Sequence, residues 1–288
     1  MKQLKKNTAA GKIDSNNSRF IEDAFGSRTA IHGMSRANRQ LNSRGAYPFT
    51  GLLANKLLTA LPGADFARLL PHLEPVSLVT GQVIYVSGEN IEFAYFPETA
   101  VISHICMLED GGTAASAIIG KEGVTGLWGV LGSRPPSHWT EVTIGGTAIR
   151  VRSYILAKEF ALRAGVQEIL LAYAGERLTQ LSQRAACNAK HKLAERLCTW
   201  LLMIHDRASE EKLPLTHEEI ARQLGTRRAG ITTTCNSLRD SGIIDYRRGM
   251  ICILDPKRLE AAACQCRRDQ QDGLKQRKAP GDAGSIQL

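Results

Sequence analysis

The sequence predicts an α+β chain: an N-terminal antiparallel β jelly-roll barrel, a long dimerisation helix and a C-terminal winged helix-turn-helix. Three observations carry that expectation. Short β-like runs separated by glycine turns fill residues 76–151. Leu171, Ala174, Leu178, Leu181 and Ala185 then recur at alternating intervals of three and four, the rhythm of a two-helix seam. Beyond them, a capping box and a helix-stop glycine mark two short helices, which lead into a strand–turn–strand ending. The expected segments are a basic arm over 1–49, the barrel over 50–163, the dimer helix over 164–188, the winged module over 189–266 and a tail over 267–288.

Charge bounds the partners. Thirty-seven Lys and Arg face 28 Asp and Glu, a net charge of +9 over 288 residues. The excess is unevenly placed: residues 1–50 carry +6 and residues 264–288 carry +2, whereas 51–165 carry −2 and 186–263 only +3. The arm is rich in Asn, Ser, Arg and Gly and lacks an apolar period, so it and the tail are expected to be loose and solubilising. A basic chain suits nucleic acid as a partner, but here that argument must rest on where particular arginines sit. Purely apolar stretches such as that around Leu201–Ile204 fall far short of the ~18–20 residues that cross a bilayer, so no membrane association is expected. No apolar segment follows the basic N-terminus, which speaks against a secretory signal. Seven scattered cysteines, an odd number, speak against a disulfide framework and for a reducing cytoplasm.

In the first domain, Leu52, Leu53, Leu57, Leu58 and Leu61, then Phe66, Leu69 and Leu70, have helical spacing. Strands are expected over 76–79, 82–86, 93–96, 101–107, 115–119, 141–144 and 147–151, with turn residues between them at Gly81, Gly88, Gly111, Gly112, Gly120 and Gly145. A cupin-type metal-dependent enzyme is the alternative for such a barrel. It would need several ligands converging on one ion, and these strands supply only His104, with His138 in a loop. A phosphate-binding loop, a nucleophile elbow and a catalytic carboxylate pair are all missing, so the barrel is expected to be a sensor or scaffold and the chain not an enzyme.

The long helix carries two apolar stripes. Leu171, Ala174, Leu178, Leu181 and Ala185 form one, and Val166, Leu170 and Tyr173 form the other, which can pack back on the barrel. One helix cannot bury both against a single small domain, so a two-fold homodimer is expected. A break near 186–190 precedes a second helix that places Leu193, Leu197, Trp200, Leu201 and Ile204 on one face.

The winged module opens on Thr216-His217-Glu218-Glu219, whose Thr hydroxyl and Glu carboxylate can each satisfy a free N–H at a helix start. Ile220, Ala221 and Leu224 follow, then Gly225, which permits a turn with φ > 0. Ile231 and Leu238 face inward from the second helix, and Ala221 is small because the two helices cross there. The outer face of that second helix presents Arg227, Arg228, Ala229, Thr232, Thr233 and Asn236. Recognition helices place their first turns in the major groove, where Arg can bond a guanine edge and Thr a base edge or a thymine methyl. Arg247 and Arg248, in the tight turn before a returning strand, and Thr216, at the first helix start, are placed for phosphates.

The order of barrel, long helix and winged helix-turn-helix resembles the bacterial cyclic-AMP receptor/FNR (Crp–Fnr) family of transcription regulators. The resemblance covers about residues 50–265. It is most specific at Tyr95-Phe96-Pro97, at Gly120-Lys-Glu-Gly-Val-Thr-Gly126 and across Leu215–Leu254. It implies a cyclic-nucleotide-binding-like barrel in which an effector reorients DNA-binding domains across a dimer helix. It also implies double-stranded DNA as partner and contact with RNA polymerase. The implied effector pocket includes Gly126, Leu127 and Arg134. Cyclic-nucleotide-binding members follow that glycine with Glu for the ribose and later place Arg-Ser or Arg-Thr for the phosphate. Here Leu127 stands in the first place and Arg134-Pro135-Pro136 in the second, so cyclic AMP is not the expected effector. The first cysteine is Cys106, inside the barrel, which argues against the N-terminal cysteine cluster of iron–sulfur members. Cys264-x-Cys266, with Cys252 as a third thiol, gives the alternative of a thiol-based redox or metal sensor. Without His partners in sequence the pair is expected to be structural, and no metal or cofactor is expected.

Overall fold

A computed structural model describes residues 53–132, 135–208, 210 and 212–267. The chain divides into Met1–Tyr47 and Pro48–Leu288, and everything below concerns the second unit. The arm, Arg134 and the tail beyond Arg267 fall outside the described residues.

Two short helices, α1 (Lys56–Ala60) and α2 (Gly63–Leu69), lead into the strands. The first is shorter than its leucine spacing suggests. It starts where the Asn55 side chain accepts from the N–H groups of Leu57 and Leu58 and stops before Pro62, which disfavours α geometry in the residue preceding it. The strands are β1 (Glu74–Leu78), β2 (Val83–Tyr85), β3 (Phe93–Pro97), β4 (Val101–Met107), β5 (Thr113–Ile119), β6 (Trp139–Ile144) and β7 (Gly146–Arg152), with one helical turn, α3 (Leu127–Val130), between β5 and β6. They form two antiparallel sheets, in the orders β1-β7-β3 and β2-β6-β4-β5. Val76, Leu78, Ala100, Ile102, Val142 and Ala148 are buried together from both sheets. All seven strands lie where the sequence places them. The ends differ by one or two residues, and Val79, assigned to the first strand, is exposed beyond its end.

After β7 comes a helix that sequence periodicity does not single out, α4 (Ser153–Leu162), and then α5 (Ala164–Lys190). Val166, Leu170 and Tyr173 of α5 are buried with Leu58, Leu69, Phe96, Val151 and Leu156, so this stripe does pack back on the sheets. The Tyr173 hydroxyl donates to the Val124 carbonyl at 3.0 Å and pins the helix there. The other stripe is open: Leu171, Leu178 and Leu181 are 51%, 67% and 37% exposed. The helix ends at Lys190, slightly later than the expected break, and His191 and Lys192 form the joint to α6 (Leu193–His205).

The winged module comprises α6, β8 (Lys212–Pro214), α7 (His217–Leu224), α8 (Arg228–Asp240), β9 (Ile244–Arg247), β10 (Met250–Ile253) and α9 (Pro256–Ala262). Its sheet order is β8-β10-β9, so the wing hairpin gains a third strand, one too short to show a period in sequence. Trp200, Leu201, Leu197 and Ile204 of α6 share a core with Ile220, Ile231 and Ile251, and also with Val101, Ile118 and Ile144 of the four-stranded sheet. The module therefore packs on that sheet. This is why β4 is buried at five successive positions, the polar Ser103 and His104 included, where a sheet with one face in water would alternate.

Candidate nucleic-acid interface

The two helices of the turn unit are set by local chemistry. Thr216 accepts from the Glu219 N–H at 3.2 Å, while the Glu219 carboxylate accepts from the Thr216 N–H at 2.7 Å, closing the capping box. Gly225 ends α7 at φ +60°, ψ +49°, a conformation costly for any residue with a Cβ. Ile220, Ala221, Leu224, Ile231 and Leu238, named from sequence, are buried together with Cys235 between and beneath the helices. Helix α8 starts with Arg227 as a cap whose side chain makes no capping bond.

Above that core, Arg227, Arg228, Ala229, Thr233 and Asn236 are exposed. Among the described residues Arg228 is paired with Glu218 at 4.0 Å, with both side chains about 70% exposed, a weak and easily exchanged contact. Thr232 differs from its neighbours. It is half-buried, donates to the Arg228 carbonyl at 3.1 Å and meets His217 Nδ1 at 3.0 Å, so its hydroxyl is directed into the module. Thr216 is exposed, but the same carboxylate that closes the capping box also takes its hydroxyl proton, so a phosphate would compete with that bond. In the wing, Met250 pairs with Arg247 across a two-residue turn, Arg248-Gly249, with φ of +50° and +77°. This is the turn sense that matches strand twist, and it puts a non-glycine residue in the left-handed region, a strain characteristic of functional tips. Arg247 and Arg248 are both exposed there.

Sequence reasoning missed His217. Its ring stacks on Tyr246 at 4.0 Å and couples the start of α7 to the wing. Burial, with Arg228 nearby, lowers its pKa and favours the neutral ring. It also missed the contacts that seat the module on the sheet. Arg222 of α7 forms a forked pair with Glu141 of β6 at 2.6 and 2.5 Å, Gln223 Nε2 donates to Thr143 Oγ1 at 3.2 Å, and Arg207 pairs with Glu122 at 2.7 Å. Their partners lie about eighty residues apart in the chain, so no spacing signals them.

The implied effector pocket looks different in three dimensions. Gly126, at φ +94°, closes against the Phe93 carbonyl and the Ala94 backbone, and Leu127 is buried in the core rather than facing a ligand. Beside them His104, Trp128 and His138 pack ring on ring, with centroids 4.5–5.1 Å apart, and His104 Nε2 meets Thr125 Oγ1 at 2.7 Å. Burial pushes both imidazoles down, His138 to about 4, so the cluster is neutral at pH 7.

Comparison with known proteins identifies the module. A family model described as a Crp-like helix-turn-helix domain matches residues 195–262. The module is thus similar to Crp-like helix-turn-helix domains. The Crp-like domain sits in a chain whose fold matches solved regulators. FixK2 from Bradyrhizobium japonicum is 20% identical over 67% of this chain and 98% of its own, with a TM-score of 0.57. A putative Crp/FNR-family transcriptional regulator from Eubacterium rectale is 19% identical over 74% of this chain and 98% of its own, at 0.58. A Crp/FNR-family regulator from Thermus thermophilus is 22% identical over 66% and 98%, at 0.55. The sheets, the long helix and the Crp-like domain together thus have the Crp/FNR fold. No curated protein sequence matches the chain. Among the described residues no helix is long and apolar enough to cross a membrane.

Proposed function

We propose that the chain is a sequence-specific DNA-binding transcription regulator, not an enzyme, that acts as a homodimer on an inverted-repeat operator. The observation that carries this reading is the exposed basic start of α8, Arg227 and Arg228, standing on the buried core of a Crp-like domain beside a wing tipped by Arg247 and Arg248. Two such helices, related by a two-fold axis, would enter major grooves about 34 Å apart. The open stripe Leu171, Leu178 and Leu181 supports the dimer, because a second copy related by a two-fold axis can bury on it what the described residues of one chain leave exposed. Leu178→Glu is expected to convert the dimer to monomer in analytical ultracentrifugation while leaving the monomer folded. An unchanged sedimentation coefficient would place the interface elsewhere.

Selection of bound duplexes from a random pool, at stated salt, tests the reading. An inverted repeat is expected to emerge. Arg228→Ala should lower discrimination at one base pair by about 1–3 kcal/mol. Arg247→Ala should weaken all duplexes alike and reduce the salt slope. Adding cyclic AMP should not change the affinity, in keeping with the buried Leu127 and the packed rings beside Gly126. Recovery of no preferred sequence would end the proposal.

A further inference from the structure

Cys264 and Cys266 have partners that lie far off in the chain. Cys187 and His191, one turn apart at the end of α5, come together with them, and one ligand atom from each of the four lies within 4.8 Å of all the others. Cys187 Sγ and Cys264 Sγ are 4.0 Å apart. That is too long for a disulfide, whose S–S bond is about 2.05 Å. It is close to the separation of about 3.8 Å that bonds of about 2.3 Å impose between two sulfurs on one tetrahedral zinc. A polynuclear iron–sulfur cluster would hold its outer ligands further apart. Cys252, the third thiol in the sequence reading, is not in the group.

Two further observations point to an ion. His191 Nδ1 is buried with no hydrogen-bond partner, as expected of a nitrogen whose lone pair is reserved for a metal. The cavity beside the cluster, about 60 Å³, is lined by Cys187, Cys264 and Cys266 and by Arg177, Arg184, Arg196 and Arg267. One divalent ion with three thiolates and a neutral imidazole carries net charge −1, and the half-buried Arg184, whose buried Nη1 also has no partner, is a counter-charge for it beside Cys187. Thr199 Oγ1, 3.2 Å from Cys264 Sγ, and Gln183 Nε2, 3.6 Å from Cys187 Sγ, are donors of the kind that orient thiolate ligands.

We propose that Cys187, His191, Cys264 and Cys266 bind one zinc-like divalent ion, which fastens the C-terminal end of the Crp-like domain to the end of the dimer helix. Three thiol protons leave as the ion enters. The soft, tetrahedral S₃N set selects zinc over calcium or magnesium. The closed ligand set makes the ion a clamp rather than a catalyst. It spans the joint at His191 and Lys192, between the dimer helix and the first helix of the winged module. Any effect on DNA rests on the regulator reading, whereas the site itself does not.

The test uses the full-length, reduced chain, freed of metal and titrated anaerobically with Co²⁺ and then Zn²⁺. One equivalent of Co²⁺ is expected to give the visible bands of a tetrahedral thiolate site, bleached by Zn²⁺, and Zn²⁺ should raise the melting temperature. Cys187→Ser and Cys266→Ser should each weaken Co²⁺ binding by at least about tenfold, while Cys252→Ser should bind as the parent does. Circular dichroism separates lost ligation from lost folding, and His191→Gln, at a helix end, provides a variant that leaves every thiol in place. Absence of the cobalt bands in the parent chain, or equal loss in the Cys252 variant, would overturn the site. Duplex affinity measured with and without Zn²⁺ then reports separately on the regulator reading.

Discussion

Replacing Arg222 by methionine is expected to cost about 3 kcal/mol of stability, among the largest losses any single side chain in this chain should produce. Glu141 is only 3% exposed, and its two oxygens are held by the Arg222 fork, with the Trp139 indole N–H 3.4 Å from one of them. Removing the guanidinium leaves a buried carboxylate without its counter-charge, and that desolvated charge accounts for most of the loss. The pair as a whole contributes far less than the loss of one partner implies. The double variant Glu141→Gln/Arg222→Met should therefore recover most of the difference. Urea denaturation of the two singles and the double gives the cycle. A single variant within about 0.5 kcal/mol of the parent would show that water screens the pair. The same melts test whether the Crp-like domain and the sheets unfold together, as their shared core around Trp200, Val101 and Ile118 requires.

Stability should also fall steeply on acidification below pH 6.5. Burial holds the His104 and His138 rings neutral, with His138 at about 4, against an ordinary value of 6.5. A histidine whose folded pKa is depressed binds fewer protons folded than unfolded, so its contribution is complete above 6.5 and drains away as pH falls toward the folded value. The slope is about 1.36 kcal/mol per pH unit per group, so His138 alone gives about 3 kcal/mol between pH 6.5 and 4. His104 adds in the same direction. So does Glu122, further down the scale. Burial opposes its charge, but the Arg207 guanidinium and backbone N–H groups hold its carboxyl below the usual value, and its stabilisation is lost as that carboxyl is protonated. Denaturant midpoints at several pH values should show the loss, and His138→Gln should flatten it by roughly one proton. A profile that is flat from pH 6.5 to 4.5 would mean that the rings are open to water.

The sequence by itself determined what local forces decide. The Thr216–Glu219 box, the stop at Gly225, the inward set Ile220, Ala221, Leu224, Ile231 and Leu238, the seven strands and the two stripes of α5 were all legible. Each follows from bonds and periods that reach only a few residues along the chain. The short elements were less so: β8 and α3 span too few residues to show a period, and α4 packs without one. Only the tertiary structure decided which distant side chains meet. It buried Leu127 and directed the Thr232 hydroxyl inward. It seated Arg222 on Glu141, 81 residues away, and brought Cys187 to Cys264 across 77. Such contacts are fixed by how whole layers pack, here the Crp-like domain on the four-stranded sheet and on the end of α5. Layer packing leaves no spacing in the sequence from which a Cys-x-Cys pair could be matched to its histidine.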